Sequence, residues 1–323
     1  MLFDRYGRSI EYLRLSVTDR CDLRCSYCMP KRYKEFKEPD DWLTFDEIER
    51  LVTALARGGL RRVRLTGGEP LVRRNLPDLA KRLASIAGIE DLSLSTNGTR
   101  LAVMADALKA AGVSRLNVSL DSLRAERVKA ICGQDVLSKV LAGLQAAKEA
   151  GFGPIKINTV AMRGVNDDEI DDLVDYCATQ GFVLRLIEAM PMGDSGRGTQ
   201  FLDLGPVRRR LQVRLSMIDG VVPGGGPARY LVRPSDGFAI GFITPLSDHF
   251  CATCNRVRLA VDGTMYLCLG QEEQVAFRPL LRDNCSDEHL REGIQRALER
   301  KPERHEFSDK PHKVLRFMSA TGG

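Results

Sequence analysis

The sequence predicts an α/β fold: a partial (β/α)6 barrel over residues 1–220, followed by a smaller mixed α+β C-terminal module over residues 221–323. Three observations carry this. From residue 11 to about 190 one unit recurs: a short β-rich apolar run, a turn, then an amphipathic stretch. The amphipathic stretches are mostly long enough to serve as crossovers between parallel strands. The unit then stops at a Gly- and Pro-rich stretch, 193–227, after which only short strand patterns and one helix follow.

Taken in order, the strand candidates fall at 12–17, 62–66, 92–96, 115–120, 155–162 and 183–189. Thr44 opens the first helix, because Thr44-Phe45-Asp46-Glu47 sets a hydroxyl at the N-cap and a carboxylate three residues on, a capping box. Further helices are predicted over 76–87, 101–111, 136–150 and 167–180. Gly88, Gly112, Gly151 and Gly181 stand where helices commonly end. Six strands are two short of a closed eight-stranded barrel, so the sheet should stay open. A flat doubly wound sheet is the competing arrangement. The second module holds strand patterns at 230–233, 238–243, 256–261 and 265–269, a helix at 286–299, and a Thr-Gly-Gly end that by itself would fray.

Composition narrows the function classes. A hydrophobic content of 43% in 323 residues supplies a sizeable core, and 28% charge describes an ordinary water-soluble chain. No apolar run approaches the roughly 20 residues that span a bilayer. The N-terminus is charged from its first residues and lacks a secretory pattern, so the cytoplasm is the expected compartment. The net charge of +5 is spread among mixed signs, without the basic, aromatic-laced face of a nucleic-acid binder. Nine cysteines in a reducing compartment read as metal or redox groups rather than disulfides.

Six of the nine cluster. Cys21-x3-Cys25-x2-Cys28 follows the first strand, where βα loops form the active mouth of a barrel. Three thiolates can hold one cubane iron–sulfur cluster, and with no fourth ligand nearby one iron stays open for chemistry. A structural zinc site needs four ligands and closure. Cys251-x2-Cys254-x13-Cys268 is the second set. Its spacing fits either a zinc staple completed by His249 or a second open cluster. Arg256 and Arg258, alternating on one strand face, favour the cluster. Cys132, Cys177 and Cys285 have no spacing partner and read as small buried hydrophobes.

The first motif, with Thr66-Gly-Gly-Glu-Pro70 after the second strand, resembles the radical S-adenosylmethionine superfamily. Adding Cys251-x2-Cys254-Asn-Arg-Val-Arg258 with Cys268 downstream, the chain closely resembles the GTP 3′,8-cyclase family of molybdenum cofactor biosynthesis. Ser16-Val-Thr-Asp-Arg-Cys21, Ser95-Thr-Asn-Gly98, Lys156-Ile-Asn-Thr-Val160 and Ile187-Glu-Ala-Met-Pro-Met192 carry the match across nearly the whole length. The resemblance implies two [4Fe-4S] clusters and S-adenosyl-L-methionine as cofactors and GTP as substrate. A deoxyadenosyl radical takes the ribose C3′ hydrogen, and C3′ then bonds to guanine C8. By position, Cys21, Cys25 and Cys28 hold the first cluster, and Tyr27, Gly68, Ser119 and Met190 contact S-adenosylmethionine. Cys251, Cys254 and Cys268 hold the second cluster, whose open iron takes the guanine. Arg14, Arg64, Ser95, Lys156, Arg256, Val257 and Arg258 hold GTP; Arg185 matches a family arginine without a fixed contact. The family often has Thr where this chain has Ser95. Gly322 and Gly323 match a tail that assists catalysis. The implied partners are an electron donor and the cyclic pyranopterin monophosphate synthase downstream, with no nucleic acid and no membrane; a homodimer is left open. Two other readings remain: a peptide-modifying enzyme of the same superfamily with an auxiliary cluster, and a zinc-stabilised nucleic-acid-binding module.

Overall fold

A computed structural model describes residues 1–29, 39–283, 285–310 and 312–322. Six parallel strands stand in chain order: β1 (Tyr12–Ser16), β2 (Arg62–Thr66), β3 (Asp91–Thr96), β4 (Arg115–Ser119), β5 (Lys156–Ala161) and β6 (Val183–Glu188). The later strands do not build a sheet of their own; they extend this one at both ends. Beyond β6 lie β9 (Ala239–Ile243), parallel to it, then β8 (Arg229–Val232) and β7 (Ile218–Gly220), each antiparallel to its neighbour. On the other side β10 (Arg256–Leu259) runs parallel to β1, followed by antiparallel β11 (Thr264–Tyr266) and β12 (Gln274–Ala276). The twelve-stranded sheet begins at β12 and ends at β7, so it is open.

Helices α1 (Phe45–Arg57), α2 (Leu76–Ala84), α3 (Leu101–Ala110), α4 (Ala125–Cys132), α5 (Leu137–Glu149) and α6 (Ile170–Gln180) connect the six central strands. Thr44 caps α1 as the capping box predicts: its hydroxyl accepts from the Glu47 N–H, and the Glu47 carboxylate accepts from the Thr44 N–H. Later come α7 (Gly193–Arg197), α8 (Leu204–Arg214), α9 (Arg278–Arg282), α10 (Asp287–Glu299) and α11 (Met318–Thr321). Among the described residues no helix is long and apolar enough to cross a membrane.

Side chains alternate along each strand, and here the two faces differ sharply. Leu13, Leu15, Val63, Leu65, Leu92, Leu94, Leu116, Val118, Ile157, Leu184, Leu186, Val257 and Leu259 share one continuous core with the buried faces of α1, α2, α3, α5 and α6. The other face carries Tyr12, Arg14, Arg64, Ser93, Ser95, Asn117, Ser119, Lys156, Asn158, Arg185, Arg256 and Arg258. A doubly wound sheet would cover both faces with helices and make both apolar. An apolar outside and a polar inside is the barrel solution, left open here.

Thr44→Ala should destabilise the protein by about 1 kcal/mol, seen as a lower urea midpoint at unchanged slope. An unaltered midpoint would mean that the Glu47–Arg282 bond of 2.9 Å alone secures this helix end.

Candidate active site

The first cysteine triad occupies the loop leaving the C-terminal end of β1. Local bonds shape it: the Cys28 and Met29 N–H groups both donate to the Cys25 carbonyl at 3.0 Å. Its flank is tied to α4, where the Arg24 and Ser26 N–H groups donate to the carbonyls of Cys132 and Ile131 at 2.9 Å. The Gly67-Gly68-Glu69 strap lies directly against this loop. Gly68 and Glu69 N–H groups donate to the carbonyls of Thr18 and Arg20, both at 2.8 Å. Gly67 has φ +151°, and a Cβ on Gly68 would stand 2.3 Å from the Arg20 carbonyl oxygen. Two glycines are therefore a steric requirement of this contact.

Buried carboxylates hold the same region. Glu69 accepts from the Thr96 hydroxyl and the Asn97 N–H, each at 2.7 Å, and from the Leu71 N–H at 3.0 Å. Burial nonetheless pushes its carboxyl up to about 7. Asn97 Nδ2 and Thr99 Oγ1 donate to the Asp22 carboxylate at 2.7 and 2.8 Å. Tyr27 donates to Asp121 at 2.8 Å, and burial raises Asp121 to about 6. Burial also raises the thiols: Cys21 to about 12, Cys28 to about 11, and Cys25 well above its usual value.

The second triad sits at the other end of the inner face. β10 pairs Arg256 with Tyr12, the first residue of β1, whereas the first triad follows the last. Tyr12 to Ser16 alone spans about 13 Å at ~3.3 Å per residue. Cations surround these cysteines. Arg8 donates to the Cys251 carbonyl at 2.9 Å and Arg316 to the Cys268 carbonyl at 3.0 Å. Although burial pushes the Cys254 thiol up, Lys301 and Arg256 hold it at about 7. His249, the fourth ligand that a zinc site would need, is exposed and lies edge-on to His305, ring centres 5.9 Å apart.

Between the triads the inner face is crowded with cations. Strand register sets Arg258, Arg14 and Arg64 side by side across β10, β1 and β2. Arg64, Lys156 and Arg185 are 6%, 3% and 2% exposed. Burial depresses Arg14 well below its usual range, and Arg258, Arg64 and Arg256 add to the effect. Burial, then Arg185, Arg115 and Arg64, lower Lys156 to about 7. Burial and Arg256 lower Arg258 to about 9, and burial and Arg64 lower Arg185 to about 10. Mutually repelling buried cations form a receptor for a polyanion. The buried Ser95 Oγ and Tyr12 Oη have no hydrogen-bond partner among the described residues, which suits an absent ligand.

The C-terminal tail, which the sequence alone would leave frayed, enters this space. The Ser319 N–H bonds the Cys28 sulfur. A Cβ on Gly322 would meet Thr66 Cγ2 at 2.2 Å, and Arg258 donates to the carbonyls of Gly322 and, at 3.3 Å, Thr321. Gly323 lies outside the described residues.

The Radical SAM superfamily pattern matches residues 15–177, and Molybdenum Cofactor Synthesis C matches 182–307. A GTP 3′,8-cyclase of Erythrobacter litoralis is 47% identical over 330 residues, covering 100% of this chain and 98% of its own. The chain belongs to the GTP 3′,8-cyclase family. A Pseudomonas aeruginosa relative, GTP 3′,8-cyclase 1, is also 47% identical, covering 99% of this chain and 98% of its own. In fold, the chain is similar to Streptococcus suis SuiB, whose crystal structure has S-adenosylmethionine bound. The TM-score is 0.62 at 16% identity, covering 89% of this chain and 68% of that one.

The donor sets fit the iron–sulfur clusters of this family. Among the described residues no three His, Cys, Asp or Glu side chains converge on a point that a single ion could fill, whereas each thiolate of a cluster binds its own iron. Of the residues expected to bind, Ser119 ends β4 on the inner face, level with Asn158, and Met190 packs beside Met192 and Met318. Val257 turns its side chain into the helix-covered core, because alternation points it away from Arg256 and Arg258. Sequence reasoning also missed Asn117 and Asn158, which accept from Arg185, the latter at 2.8 Å, and Lys301 beside Cys254. Cys132 and Cys177 are buried small side chains as expected; Cys285 is only partly buried.

Gly68→Ala should lower apo-protein stability by roughly 1–3 kcal/mol in urea, the usual range for overpacking; wild-type stability would show that the strap has room to shift. Lys156 carries its proton below about pH 7 and loses it above, and a bound polyanion favours the charged form. Nucleotide binding at about pH 8 should therefore take up a proton, and affinity should fall as pH rises from about 6 to about 8. Calorimetry in buffers of different ionisation enthalpy measures both. Proton uptake that persists in Lys156→Met would assign the effect to another group.

Proposed function

We propose that this chain is a radical S-adenosylmethionine cyclase converting GTP to (8S)-3′,8-cyclo-7,8-dihydroguanosine 5′-triphosphate, the first step of molybdopterin biosynthesis. The single observation that carries the reading is the row of buried cations strung between two three-cysteine loops on one sheet face.

Cys21, Cys25 and Cys28 would hold the first [4Fe-4S] cluster, with Tyr27, Gly68, Ser119 and Met190 receiving S-adenosylmethionine. Cys251, Cys254 and Cys268 would hold the second cluster and Arg14, Arg64, Ser95, Lys156, Arg256 and Arg258 the GTP, Val257 contributing through its backbone only. When bound, these groups supply the one-electron chemistry that opens the C3′–H bond of the ribose. The chain's own residues bind, orient and exclude water. Charge-assisted bonds to phosphate contribute roughly 1.5–3 kcal/mol each, so several together can fix a flexible triphosphate and set C3′ against C8. Gly322 enters the space beside Thr66 and Arg258, and Gly322 and Gly323 assist catalysis, since a residue without a side chain can enter a narrow cavity. Residues 1–220 carry the first cluster, and 221–323 the second together with the tail. The cycle needs an external electron donor, and the product passes to the cyclic pyranopterin monophosphate synthase.

Anaerobic incubation with GTP, S-adenosylmethionine and a strong reductant should yield 5′-deoxyadenosine and a cyclised nucleotide, and ATP should not replace GTP. Cys268→Ala should abolish cyclisation while the first triad keeps its iron; cyclisation surviving that change refutes the proposal.

A further inference from the structure

Lys301 follows α10 and is 2% exposed. Its ammonium reaches three acceptors: the Leu267 carbonyl at 2.6 Å, the Arg256 carbonyl at 2.9 Å and Cys254 Sγ at 3.7 Å. An ammonium has three donors, so each has a partner. No acidic side chain among the described residues pairs with it.

The two carbonyls matter as much as the sulfur. Arg256 stands two residues after Cys254, and Leu267 immediately precedes Cys268. One side chain thus ties together the two chain segments that bring Cys254 and Cys268 to the same place, although 13 residues separate them. We propose that Lys301 is a positioning residue of the second triad. It pins Cys254 and the approach to Cys268, and it sets a fixed positive charge beside the cluster that those thiolates hold. The inference rests on the proposed reading of Cys251, Cys254 and Cys268 as cluster ligands. A nearby positive charge favours the reduced, more negative form of a cluster and so raises its potential.

The test uses the full-length chain with Cys21, Cys25 and Cys28 all changed to Ala, so that only the second triad can hold iron. Iron per chain and the midpoint potential, from a redox titration followed by electron paramagnetic resonance, are compared among the parent, Lys301→Met and Lys301→Arg. The Met variant should hold less iron, and the cluster remaining in it should have a more negative potential. The Arg variant, which keeps the charge, should return the potential toward the parent's. Equal iron and potential in the parent and the Met variant would overturn the inference, as would an Arg variant as shifted or as poor in iron as the Met variant. A full-cysteine Lys301→Met chain should keep the iron of its first triad. Loss of both clusters would mark Lys301 as a general core residue and equally overturn the inference. A parent chain without iron overturns the ligand reading on which it rests.

Discussion

The repulsion among the inner-face cations is the constraint around which the rest is organised. Parallel strands in register set equivalent positions side by side, so Arg258, Arg14 and Arg64 become neighbours across three strands. Their mutual repulsion works against the fold. It is held by the opposite face of the same strands, whose leucines, valines and isoleucines pack under the helices in one continuous core. At roughly 25 cal/mol per Å2 of apolar surface removed from water, that core offsets the cost of pre-assembling a charged receptor. Binding sites are often strained in this sense, with the stability supplied elsewhere.

The two triads are electrostatically unlike. Burial dominates at the first, where Asp22, Glu69 and Asp121 add to it, so its thiols favour their protons, although Arg24 donates to the Cys21 carbonyl at 2.7 Å. At the second, Arg8, Arg256, Lys301 and Arg316 converge from four separate stretches of chain. The tail joins the two environments. Ser319 touches Cys28, Arg316 holds the Cys268 loop, and Gly322 lies between Thr66 and Arg258. Its order comes from tertiary partners such as these, since Met318–Thr321 is a single helical turn with no side-chain cap.

Much of the scaffold was legible because the signals are local. Strand 62–66 matches β2 residue for residue, and the other five central strands differ by one residue at one or both ends. Gly181 ends α6 in the left-handed conformation, as helix-terminal glycine does. Helix α8 hid inside the stretch read as irregular, because Gly205 and Pro206 near its start look like a break; Pro is in fact tolerated in a first turn. Helix α4 is only eight residues long and sits against the next helix pattern, so periodicity did not separate it.

The sequence by itself determined the βα repeat, the two cysteine triads, the family resemblance and which residue types would do the binding. All of these depend on spacing within a few residues or on an ordered set of motifs. Tertiary structure alone decided that β9 and β10 join the central sheet from opposite sides, that the Val257 side chain turns into the core, and that Lys301 and Arg316 reach the second triad. Those outcomes depend on contacts between residues tens to hundreds of positions apart. Local propensity is blind to them, because register and packing are settled only when the whole sheet closes over its core.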